Sequence, residues 1–171
     1  MSSLRIVALS IMAAVCYGIA HDQITARICV EYFTIGHPPV FGTDDPTLLG
    51  LGWGVIATWW VGLILGVPLA IAAQAGSRPK RTAESLVVPL VWLLGVMAVC
   101  AVIAGLIGWT LARAGVVFLV GRLQEAVPPE RHVAFLVDLW AHSASYAVGF
   151  VGGVVLIVLV WRSRRWADPV A

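Results

Sequence analysis

This chain is short of charge. Only 12% of its 171 residues are Asp, Glu, Lys or Arg, against about 25% in an ordinary soluble domain, so a normal water-facing surface cannot be built from it. The three cysteines, Cys16, Cys29 and Cys100, make no disulfide framework. There is no HExxH, HxH or CxxC to announce a metal, and no Gly-x-Ser-Gly to carry a nucleophile. A net charge of +2 is too small to suggest nucleic acid.

What is present is apolar. Hydrophobic residues make up 60% of the chain and mean hydropathy is +0.94. Crossing the hydrocarbon core as a helix takes about 20 apolar residues, and runs near 4–20, 48–75, 86–112 and 140–161 are candidates. The expectation is an all-α integral membrane protein, a single domain over 1–171 built as a four-transmembrane-helix bundle. The first run is the shortest. Arg5 ahead of it and Gly18 and Ala20 near its end also fit a cleavable signal peptide, whereas Val15 before Cys16 disfavours a lipoprotein. An uncleaved first helix is the reading adopted.

Basic residues near membrane helices stay in the cytoplasm. With the N-terminus inside, seven of the eleven fall on the inner side: Arg5, Arg78, Lys80, Arg81, Arg162, Arg164 and Arg165. Only Glu84 and Asp168 of the nine acidic residues join them. Both termini are therefore expected in the cytoplasm of a bacterial inner-membrane protein, with 21–47 and 113–138 forming an outer polar cap.

The first of these outer segments begins "HDQITARICVEYFTIGHPP", a dense run of titratable groups in an oily chain. From Ile24 to Ile35 apolar residues nearly alternate, which predicts an extended or short β segment across the end of the bundle. A helix is the alternative, with Arg27 and Glu31 four apart and able to pair. Thr47 is the expected cap of the second long helix.

On the last helix Asp138, His142 and Tyr146 recur at four-residue spacing and share one face, continued by Gly149 and Gly153 as a surface for close helix packing. If the first and last helices are neighbours, His21 and Asp22 meet this face. The candidate cluster is His21, Asp22, Arg27, Glu31, Asp138, His142 and Tyr146, with Cys29 and His37 within reach. Of these, His21, Asp22, Glu31 and His142 are a ligand set for zinc, iron or manganese. Asp138 could hold the second nitrogen of His142. The bland alternative is a polar junction in which His21 and Asp22 cap the first helix and Arg27 neutralises Glu31. Ser143 and Ser145 beside His142 raise a serine hydrolase, but the nucleophile motif is missing.

The run "HDQITARICVEYFTIGHPPVF", with "PTLLGLGWGVIATWWVG" after it, resembles small uncharacterised bacterial multi-pass membrane proteins that share an HDQxTxRxCxEYFT-like segment. The resemblance covers about the first half of the chain and implies no activity or ligand.

Three functions compete on sequence. A structural or accessory membrane protein with a periplasm-facing cap, working as a homo-oligomer or with a membrane partner, ranks first. A membrane-embedded metal-binding protein or metal-dependent enzyme ranks second. A small transporter or channel component ranks third.

Overall fold

The computed structural model describes residues 2–164, so Arg165, Trp166 and Asp168 lie outside the described residues. About 80% of the chain is helical and no strand occurs among the described residues. In order the elements are α1 (Ser2–Ile28), α2 (Val30–Thr34), α3 (Pro46–Ile56), α4 (Trp59–Gln74), α5 (Ala83–Arg113), α6 (Arg122–Ala126), a 3-10 turn (Pro129–Arg131) and α7 (His132–Ser163). Among the described residues, four helical stretches are long and apolar enough to cross a membrane: α1, α3 with α4, α5, and the turn with α7.

The bundle consists of two tight pairs. In the first, α3 and α4 lie along α1, because Gly50, Gly54, Gly62 and Gly66 bring their backbones onto it. A Cβ on Gly54 would stand 2.6 Å from the Ile19 backbone, and one on Gly62 would stand 2.6 Å from Ile11 Cα. Such runs of small residues allow the close approach that membrane-type helix packing uses. The second pair is α5 on α7. Gly149 and Gly153 do not seat a helix backbone as expected. Side chains from two different helices fill the space above them, Met97 of α5 and Leu65 of α4.

The alternation from Ile24 to Ile35 does not make an extended segment. The first helix runs on past Ala20 to Ile28, breaks at Cys29 in extended backbone, and resumes as α2. The physical reason is backbone accounting: a lone strand leaves its N–H and C=O groups without partners, whereas a helix satisfies them internally. Even at the break Cys29 N donates to Thr25 O at 2.9 Å. His21 and Asp22 are consequently helix-interior residues, not caps.

The second long run also breaks. Thr58 donates its hydroxyl to Gly54 O, a back-bond that competes with the helical ladder and bends it, and α3 stops at Ile56 before α4 starts at Trp59. The cap of α3 is Asp45, which accepts from Thr47 N and Leu48 N at 2.8 and 2.9 Å, with Pro46 in the first turn. Thr47 accepts from Arg27 instead, at 2.9 Å.

Candidate functional site

Asp22 on α1 and His142 on α7 meet across the bundle, His142 Nε2 standing 3.2 Å from Asp22 Oδ1. His21 joins them edge-on, its ring centroid 4.5 Å from that of His142. One ligand atom from each of His21, Asp22 and His142 fits within a 4.8 Å group. Asp22 and His142 are buried, and His21 Nε2 is buried with no hydrogen-bond partner.

The tautomer of His142 follows from its contacts. Nδ1 lies 2.8 Å from the Asp138 carbonyl oxygen, four residues back on the same helix. A carbonyl only accepts, so Nδ1 carries the proton. In a neutral ring Nε2 is then a bare lone pair facing the carboxylate of Asp22. Two acceptors at 3.2 Å repel unless a proton or a cation lies between them. The Nδ1 hydrogen bond is also the outer-shell contact that ligating histidines usually make.

Aromatic walls fix these rings. Tyr32 of α2 stacks on His142 with centroids 4.4 Å apart, and Tyr17 stacks on His21 at 5.7 Å. The Tyr17 and Ser145 hydroxyls share a hydrogen bond of 2.8 Å. Tyr146 donates to Ala57 O at 3.1 Å, using a carbonyl beside the break between α3 and α4. His21, Asp22, His142 and Tyr146 all line one cavity, of about 80 Å³.

Three of the sequence candidates lie apart from this cavity. Glu31 pairs with Arg131, not with Arg27, at 2.9 Å. It also accepts from the Cys29 thiol at 3.3 Å. Arg27 binds Gln23 and Thr47. Asp138 does not reach the second nitrogen of His142, since its backbone carbonyl makes that contact. Its carboxylate is 0% exposed, lies near the Cys29 backbone, and finds no donor for either oxygen.

Electrostatics around α2 sort the remaining groups. Burial pushes the Cys29 thiol up to about 12, helped by its hydrogen bond to Glu31, so it is neither a nucleophile nor a ready metal ligand. Burial also holds His37 below its ordinary value and therefore neutral, against the opposing effect of the Tyr32 carbonyl 2.8 Å from its Nδ1. For Glu31, burial pushes the carboxyl up, but its own backbone N–H, Arg131 and Cys29 together pull it below the usual range.

Sequence reasoning missed Arg131, Tyr32 and Trp53 as partners of these groups. Arg131 lies 100 residues from Glu31, and no local spacing joins them. Trp53, 4.6 Å from His37 between ring centroids, reads in sequence as one more interfacial tryptophan. No family model matches the chain, and no curated protein or solved structure matches it either.

Proposed function

We propose that this is an integral membrane protein whose bundle holds one divalent transition-metal ion between His21, Asp22 and His142. The carrying observation is the contact between His142 Nε2 and Asp22 Oδ1, two acceptors turned toward each other with the unpartnered Nε2 of His21 beside them. Two imidazoles and one carboxylate suit zinc, iron or manganese and leave a coordination position open for water or substrate. The geometry thus favours the metal reading over the structural or accessory role that sequence alone ranks first.

Membrane insertion is supported by the outward apolar faces. On α5, Val88, Val91, Trp92, Val99 and Val102 are all well exposed, as are Val151 and Leu159 on α7, a surface that only lipid or a partner would cover. The basic-residue bias supports cytoplasmic termini in a bacterial inner membrane, with the metal site near the outer boundary.

A polar junction without metal is the competing reading, favoured by the His142–Asp22 contact itself when His142 is protonated. Metal analysis of detergent-purified protein separates the two. Stoichiometric zinc, iron or manganese is expected in the wild type, with loss in His142→Ala and in His21→Ala. A metal-free wild type after metal-replete growth without chelators would refute the proposal.

A further inference from the structure

The metal site sits at the top of a longer internal slot. Below the His and Asp groups a second, narrow cavity of about 70 Å³ lies between α1, α4, α5 and α7. The two cavities share Ala14, Val61, Met97 and Gly149 as walls. Their linings differ sharply. Ser10 is the one polar residue around the lower cavity, and it donates its hydroxyl to Ile6 O at 2.9 Å, so nothing polar is offered to an occupant there.

Along α7 the slot runs from His142 to Ile157, about 22 Å at helical rise. One leaflet of bilayer hydrocarbon is roughly 15 Å deep, so the slot takes a chain of lipid length. A lateral groove between α1, α5 and α7 reaches the upper end, because Tyr17 and His21 line both the groove and the upper cavity. The other walls of that groove include Ile24, Val102, Leu106 and Trp109, a largely apolar path.

We infer that the slot binds a single-chain amphiphile with a carboxylate head, a long-chain carboxylic acid, with its head on the metal and its tail in the lower cavity. This rests on the metal reading above. Charge selects the head. A dication held by one carboxylate and two neutral imidazoles keeps one positive charge, and a dehydrated site needs one more anion to neutralise it. An acyl chain supplies the apolar remainder, each methylene favouring transfer out of water.

The test is saturable binding of palmitic acid to zinc-loaded protein in nanodiscs, with methyl palmitate as the head-blocked control. Ala13→Phe and Leu94→Trp fill the lower cavity from two different helices and touch no ligand. Each should weaken palmitate binding about tenfold or more while zinc content stays stoichiometric, and the ester should bind at least tenfold more weakly than the acid. Equal binding of acid and ester would overturn the inference, as would palmitate binding untouched by both filling variants. Zinc present with no saturable palmitate binding removes the amphiphile alone. A wild type that takes up no zinc removes the reading beneath it, so the two failures are distinct.

Discussion

Two deeply buried ionisable side chains mark opposite ends of this bundle, and they are treated in opposite ways. Arg164, at the end of α7, is 1% exposed and fully engaged. It donates to the carbonyls of Pro79 at 2.7 Å, Ala75 at 2.7 Å and Arg78 at 3.0 Å, and to Ala72 as well. Two of these carbonyls close the C-terminal end of α4, where the helix dipole welcomes a cation; the others fix the loop to α5. Asp138 at the other end is as deeply buried, yet neither of its oxygens meets a donor. A saturated charge is a fastener. A carboxyl buried without a donor sheds its charge instead, because an unpaired ion is too costly to bury, and it ties nothing together.

The comparison predicts unequal responses to deletion. Arg164→Met should be the most damaging change. It leaves several buried carbonyls unpaired at about 1–3 kcal/mol each, so a loss of roughly 3 kcal/mol or more is expected by thermal unfolding in detergent. Arg164→Lys should rescue only part, because an ammonium lacks the planar fork. A stability equal to wild type in both variants would show that the guanidinium is not the fastener of this end.

Acidification should loosen the other end first. His37 is held neutral below its ordinary 6.5, so below that pH the unfolded chain takes up a proton that the folded one refuses, and stability falls. Glu31 is held below its ordinary 4.5, so its contribution is present above that value and disappears as pH drops through the depressed one. The melting temperature should therefore decline in two stages. Glu31→Gln should flatten the lower stage and cost up to about 1 kcal/mol at neutral pH, as a partly exposed ion pair does. A profile unchanged by that substitution would show that the Glu31–Arg131 pair contributes nothing.

Asp138→Asn should have the smallest effect on stability and the opposite sign. Replacing an unpaired buried carboxyl by an amide of the same shape is expected to leave the metal-free protein as stable as wild type, or about 1 kcal/mol more so. A large loss would mean that its carboxylate is as firmly bonded as Arg164.

The long helices were readable because about 20 consecutive apolar residues have few other fates. That His21, Asp22 and His142 lie at one depth was readable from their spacing, but that the first and last helices touch there was a condition the sequence left open. Local patterns misled where tertiary contacts decide. Arg164 looks like one more topology charge in "RSRR" until its carbonyl partners, 85 to 92 residues away, are known. The alternation after Ile24 resembles a strand, but no second strand exists among the described residues to pair with it. The break at Ala57–Thr58 has no glycine or proline at that point to announce it, only a threonine able to bond back to Gly54. The slot is invisible in sequence because it is the space left between two helix pairs.

The most direct test of the metal site is X-ray absorption at the edge of whichever metal co-purifies. If that metal is zinc, the spectrum should contain two imidazoles and further oxygen at about 2.0–2.2 Å, with no sulfur, and His142→Ala should remove the signal. A shell of sulfur near 2.3 Å would move the metal to the cysteines and contradict the assignment to His21, Asp22 and His142.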